Sequence, residues 1–431
     1  MKILKTRNSS FYDELNLFLE KRIHLDSYEI DLEVKRILSD VYSRGDQAVF
    51  EYAKKFDNSN ISKNNILLSK DNILSYSDKI DSKVIKAFDV AIENITKYHK
   101  KQIPSNYELQ SEGVKTSSIW NSIDSVGLYI PGGKATYPSS LIMNAIPAIV
   151  AGVKRIVAVT PSKKNIINPY ILALFDKLNI EEVYQIGGPH SIGALAYGTE
   201  SIKPVNKIFG PGNAYIASAK KQVFGLVGID LLAGPSEIVV VADSDNNPQW
   251  VASDLIAQAE HDEKSQSILI TDNNEFAEKV IYLVDKLSFS LPKYKTIKSS
   301  IANYGMSIIT NNFEEVNKII DIIAPEHLHL QNKKKYEIFN KVRNAGGIFL
   351  GEYSSEAFGD YIIGTNHILP TSGTAKFSSG VNVLDFMKRT SVVEMNQKGY
   401  NINKDYVSDM AKIENLEGHQ LSVKIRQTDK K

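Results

Sequence analysis

The sequence predicts an α/β protein with parallel sheets arranged in two lobes. Two observations carry this. From residue 125 onward short apolar runs recur, most of them closed by Gly or Pro. Stretches of roughly 10–20 residues with helical texture separate them, which is the alternation of βαβ units.

The elements follow in order. Residues 28–56 and 81–101 read as helices: Ile30, Leu32, Val34, Ile37, Leu38 and Val41 recur at helical spacing, and Gly45-Asp46 reads as a stop and a new N-cap. Residues 57–80, rich in Asn, Ser, Asp and Lys, read as loop with a short strand. Strands are expected at 126–130, 155–159, 183–186 and 207–209, with helices at 170–178 and 214–224. Beyond Gly234-Pro235-Ser236 come strands at 238–241, 267–270, 307–310 and 347–350, separated by helices such as 250–261 and 276–287. The early helices are expected to complete the lobe of 236–380. In the tail, 405–413 reads as a helix and 421–425 as an alternating strand.

Composition bounds the function. The chain has 431 residues, about three units at ~150 residues each. Its 42% hydrophobic and 23% charged residues are those of an ordinary globular protein, neither disordered nor coiled coil. Lys+Arg is 51 against Asp+Glu 50, so no overall charge points to nucleic acid or an anionic membrane. There is no cysteine, which excludes disulfides, thiolate metal sites and a thiol nucleophile. No apolar core follows the first charged residues, and the longest apolar stretch, 141–153, holds Asn144 and Pro147 and is too short to span a bilayer. The expectation is a soluble, cytoplasmic protein.

Four clusters carry candidate chemistry. Gln258 and His261 stand three apart on a helix, so both side chains can meet one ion; a histidine near a helix C-terminus is also favourable without one. Gly359-Asp360-Tyr361, followed by Asn366-His367, lies past a predicted strand, where α/β folds place ligands; an Asp there also serves a turn. Glu326-His327 sets an acid beside a base. Glu414 and His419 lie in the tail. Together His261, Asp360 and His419, with Gln258, make a plausible zinc donor set, although their spacing is too wide to be a motif. Gly210-Pro211-Gly212 is not a complete dinucleotide fingerprint, because Tyr215 stands where the third glycine belongs. These residues alone leave a zinc hydrolase and a dehydrogenase equally open.

Longer strings resolve the choice. Residues 126–133 (Val-Gly-Leu-Tyr-Ile-Pro-Gly-Gly), 194–200, Gly210-Pro211-Gly212-Asn213, 233–237, Gln258-Ala259-Glu260-His261, 324–328, Gly359-Asp360-Tyr361, 366–371, Glu414 and His419 follow one another in an order that resembles the histidinol dehydrogenase family from about residue 30 to about 426. The resemblance implies two incomplete Rossmann-like lobes, with small N- and C-terminal extensions that intertwine a dimer. The implied domains are 1–24 as N-terminal extension, 25–124 with 236–380 as the substrate and zinc lobe, 125–235 as the NAD lobe, and 381–431 as the tail. It further implies oxidation of L-histidinol to L-histidine with two NAD⁺, through a bound aldehyde. Gln258, His261, Asp360 and His419 would ligate Zn²⁺, with His419 given by the partner of a homodimer, and these ligands would also border the substrate. His327 would act as general base and Glu326 would activate water. Ser236, His367 and Glu414 would contact substrate, and Tyr129 and Asn213 would contact NAD.

Two positions depart from the family pattern. Pro189-His190 replaces Ala-Gln, which puts His190 at a cofactor-contact position. Leu328-His329-Leu330 replaces Leu-Glu-Leu, and His329 is expected to be peripheral. A paralogue acting on another small amino or hydroxy alcohol, and a zinc hydrolase, are the competing readings.

Overall fold

A computed structural model of the chain describes residues 1–23, 28–74, 80–132, 137–163, 166–232 and 234–427. Gly133 and Ala233 of the quoted strings lie outside the described residues. The chain divides into two units, one of Met1–Gln102 with Ile123–Phe386, the other of Ile103–Ser122 with Met387–Lys431.

The first unit holds two parallel sheets. The larger has six strands in the spatial order Lys2–Lys5, Gly305–Ile309, Gln266–Thr271, Glu237–Val241, His327–Leu330, Gly347–Leu350, all parallel. The smaller has five, in the order Glu182–Tyr184, Arg155–Val159, Ser125–Tyr129, Lys207–Phe209, Gly228–Ile229, again all parallel. Helices cover such sheets on both faces, so their strands read as unbroken apolar runs: Glu237–Val241 is buried at every residue. The intervening helices begin at asparagines. Asn168, Asn213, Asn247, Asn273 and Asn312 each accept a backbone N–H of the first turn with the side-chain oxygen, satisfying donors that a helix start leaves unpaired.

The strand positions expected from sequence hold to within one or two residues. Other assignments do not. Helices Tyr28–Arg44 and Asp46–Asp57 pack on the five-stranded sheet, not on the lobe of 236–380: Val34, Leu38 and Val41 share a core with Ile192, Leu195 and Ile216. Helical period shows which face of a helix is apolar but not which sheet will cover it. The segment Lys2–Lys5, expected as part of an extension, is an edge strand in register with Met306–Ile309. The tail segment expected as a strand lies in the helix Glu417–Lys424.

The second unit is built on an antiparallel sheet in which Val114–Ser122 pairs with both Met387–Met395 and Tyr107–Ser111. Ile103–Ser122 therefore joins the tail, although sequence proximity placed it with the residues before 124. Helices Gln397–Ile413 and Glu417–Lys424 complete the unit.

Candidate active site

The six-stranded sheet carries the candidate site at the amino ends of its strands. Ser236 precedes Glu237–Val241, Glu326 immediately precedes His327–Leu330, and Gly346 precedes Gly347–Leu350. This differs from the carboxyl-end placement usual for open α/β sheets. Gln258 and His261 reach the same edge because the helix Pro248–Ala259 runs back against the strands.

His327 is buried. Its Nδ1 donates to the backbone carbonyl of Glu237 at 3.1 Å, which makes Nε2 the unprotonated nitrogen of the neutral ring. That Nε2 is buried and has no hydrogen-bond partner among the described residues; Asp360 Oδ1 lies 3.8 Å away, beyond hydrogen-bond reach. Burial lowers the pKa of His327, so the ring is a neutral base at pH 7. Glu326 is buried beside it, with Oε2 accepting from the Glu237 N–H at 2.8 Å and lying 3.6 Å from His327 Nδ1. One residue, Glu237, thus orients both members of the acid–imidazole pair through its backbone.

A cation-binding donor set stands next to this pair. His261, Glu356 and Asp360 each bring a ligand atom within 4.8 Å of the others. Glu356 and Asp360 sit four apart on the helix Glu356–Tyr361 and therefore on one face. Gln258 is fully buried. In the swapped amide orientation its Nε2 donates to Glu356 Oε1 at 2.9 Å and to Oε2 at 3.1 Å, and also lies 3.3 Å from Glu237 O and from His327 Nδ1. Burial, then the charges of Asp360, Glu326 and Asp254, push the Glu356 carboxyl well above the usual range. So many carboxylates in one buried place favour a positive ion. Imidazole and oxygen donors without thiolate suit zinc.

His367 Nδ1 donates to the Asp360 backbone carbonyl at 2.8 Å. His327, Asp360, His367, Asn366 and Phe349 line one side of a cleft of about 840 Å³. Asn366 is fixed by donation to Met143 O at 2.7 Å.

Seven of the expected residues therefore gather in one region: Ser236, Gln258, His261, Glu326, His327, Asp360 and His367. Glu414 and His419 lie in the second unit, both exposed, Glu414 as the C-cap of the helix Gln397–Ile413 and His419 within the helix Glu417–Lys424. Tyr129 and Asn213 lie at the carboxyl edge of the five-stranded sheet. Tyr129 is buried, and burial pushes its hydroxyl up to about 12. Asn213 is exposed and caps the helix Ala214–Val223. His190, expected at a cofactor contact, is wholly enclosed, with Tyr52 and Phe56 at ring-centroid distances of 5.9 and 6.1 Å. His329 is fully buried. Sequence reasoning missed Glu356; its signal was the four-residue interval to Asp360 on one short helix.

Fold and site together define an α/β enzyme with an acid–imidazole pair beside a cation-binding donor set. The family model described as histidinol dehydrogenase matches residues 20–427. The histidinol dehydrogenase of Mesorhizobium japonicum is 43% identical over 424 residues, covering 98% of each chain. That of Rhizobium meliloti is 44% identical over 421 residues, covering 97% of this chain and 96% of the relative. The crystal structure of histidinol dehydrogenase from Elizabethkingia anophelis superposes with a TM-score of 0.93 at 33% identity, covering 99% of this chain and 98% of that one. The chain belongs to the histidinol dehydrogenase family. Its activity is that of an oxidoreductase acting on an alcohol and an aldehyde in histidine biosynthesis, with NAD and Zn²⁺ as cofactors. No described helix is long and apolar enough to cross a membrane.

Proposed function

We propose that this chain oxidises L-histidinol to L-histidine in two successive steps, with His327 as the proton acceptor and Glu326 as the group that activates water. The observation that carries the reading is the buried Nε2 of His327, without a hydrogen-bond partner among the described residues, on a ring that lines a cleft beside the donor set. Gln258, His261 and Asp360 would hold the zinc ion, with Glu356 beside them. Bound zinc would anchor the substrate's imidazole and amine, and NAD⁺ at the Tyr129 and Asn213 edge would accept the hydride of each oxidation.

In the first oxidation His327 Nε2 takes the alcohol proton as hydride leaves carbon, giving the aldehyde. Glu326 then removes a proton from water as its oxygen adds to the aldehyde carbon, and His327 returns its proton to the carbonyl oxygen, giving the hydrate. His327, neutral again, takes a hydroxyl proton of the hydrate as the second hydride leaves, giving the carboxylic acid, which ionises to the carboxylate. The enclosure of His327 and Glu326 keeps bulk water from these proton transfers. Ser236 and His367 would orient the substrate at the cleft.

The second part of the reading concerns the tail. A cytoplasmic homodimer would bring the partner subunit's Glu414 and the partner subunit's His419 to this site, the latter as a zinc ligand. Support comes from the second unit, where the apolar side chains of Tyr406, Met410, Ile413, Leu416, Leu421 and Ile425 are all exposed and a partner chain would cover them.

Zinc-loaded protein given histidinol and NAD⁺ should form NADH, and sedimentation should give twice the chain mass of 48.1 kDa. Absence of NADH, or preference for a different small alcohol, would overturn the substrate assignment. A monomer that holds zinc as tightly would overturn the shared site.

A further inference from the structure

The residue that the catalytic and zinc readings leave over is His329. It stands two residues beyond His327 on the same strand, so both side chains leave one face. Its Nε2 donates to Gly351 O at 2.8 Å, and its Nδ1 lies 3.1 Å from Asp254 Oδ2 and 3.2 Å from Gln331 Nε2. Asp254 is itself buried. It accepts from Gln331 Nε2 at 2.7 Å and from Ser355 Oγ at 3.1 Å.

These partners are distributed in an informative way. Asp254 sits one turn before Gln258 on the helix Pro248–Ala259. Ser355 is the N-cap residue of the helix Glu356–Tyr361, yet its side chain makes no cap hydrogen bond. A serine at that position ordinarily caps its helix; here the hydroxyl is directed to Asp254 instead. Gly351, held by His329, ends the strand that leads into the same helix. The three segments joined at Asp254 and His329 are those that carry Gln258, His327, and Glu356 with Asp360. His261 follows two residues beyond the first of them.

We propose that Asp254, His329 and Ser355 form a positioning unit that sets the spacing of Gln258, His261, Glu356 and Asp360, and with it the strength of zinc binding. The proposal rests on the zinc reading given above. Donors of a metal site must be held to a fraction of an ångström, and outer partners supply that restraint; removing one typically weakens the metal about 10–100-fold.

The test uses the full-length chain with Zn²⁺ itself as probe. Its dissociation constant is measured by competition with a chromophoric chelator in the parent, in Asp254→Asn and in Ser355→Ala. Both variants should hold zinc about 10–100-fold more weakly. Their KM for histidinol should rise more than their zinc-saturated kcat falls. Ser355→Ala removes no cap bond but takes a donor from the buried Asp254, so its melting temperature should fall modestly, while a merely structural role would leave its zinc constant unmoved. Ser355→Thr, which keeps the hydroxyl, should restore affinity. Parental zinc affinity in both Asn and Ala variants would overturn the positioning role while leaving the zinc reading intact. A parent that holds no zinc would overturn the zinc reading and this proposal with it.

Discussion

His327 Nδ1 lies 3.1 Å from the backbone carbonyl of Glu237, and that contact decides which nitrogen of the ring is the base. The proton stays on Nδ1, so Nε2 keeps its lone pair, buried and without a hydrogen-bond partner among the described residues, on a ring that lines the cleft. The same residue's N–H holds Glu326 Oε2 at 2.8 Å. A side chain cannot drift out of register with an amide that is itself fixed in a buried strand. The pair is therefore preorganised by backbone and not by flexible side-chain partners.

Replacing His327 by Asn removes the base while keeping a donor near the Glu237 carbonyl. Both oxidations should slow by about 10²–10⁴-fold, the usual contribution of a general base. Zinc content, measured by atomic emission, should stay at the parent level, because His327 is not among the proposed ligands. Full activity in this variant would remove His327 from the mechanism.

Replacing Glu326 by Gln keeps an oxygen able to accept from the Glu237 N–H but removes the proton acceptor. The aldehyde step should suffer most. Half-reactions started from histidinol and from histidinal separate the two steps, and equal loss in both would contradict the assigned role.

Lys220 and Asp230 form a buried ion pair at the base of the Gly210–Asn213 loop, with side chains 3% and 1% exposed. Lys220 Nζ donates to Gly210 O at 3.0 Å and Leu231 O at 2.9 Å, and Asp230 Oδ2 accepts from Gly210 N at 2.8 Å. Both polar groups of Gly210 are thereby pinned, at a residue whose φ of 121° and 2.1 Å approach of an added Cβ to Tyr129 O exclude any other residue type. Lys220→Met strands a buried carboxylate and should cost about 3–5 kcal/mol of stability. If the loop serves NAD, the KM for NAD⁺ should rise more than the KM for histidinol. Melting curves and steady-state rates against each substrate check both, and equal changes in the two KM values would detach the ion pair from NAD binding.

His190 makes acid stability measurable. Burial pushes its pKa down to about 3 from an ordinary 6.5. Below pH 6.5 the unfolded chain takes up a proton that the folded chain refuses until about pH 3, so stability falls through that window by about 1.4 kcal/mol per pH unit. His190→Leu removes the proton site and both unpaired ring nitrogens. Its loss of denaturant midpoint between pH 7 and pH 5 should be smaller than the parent's, and an unchanged loss would mean that other groups dominate.

What the sequence disclosed follows from the range of each interaction. Strands bounded by Gly and Pro and the Glu326-His327 pair are local, and they were legible. The identity of the sheet that covers Tyr28–Arg44 was not, because an apolar face does not name its partner. The helix Glu417–Lys424 was misread because five residues of alternating Leu, Val and Ile fit either period. Glu356 stayed hidden because a buried carboxylate among carboxylates makes sense only once a cation is placed beside them. His329 was set aside as a departure from pattern; its partner Asp254 lies 75 residues earlier in the chain, since 329 − 254 = 75. No spacing rule spans such an interval.

The most direct test of the central claim is the number of NADH formed per histidinol consumed, measured with and without a chelator. Two are expected, abolished by chelation and restored by added zinc. One NADH per substrate, or turnover indifferent to chelation, would contradict it.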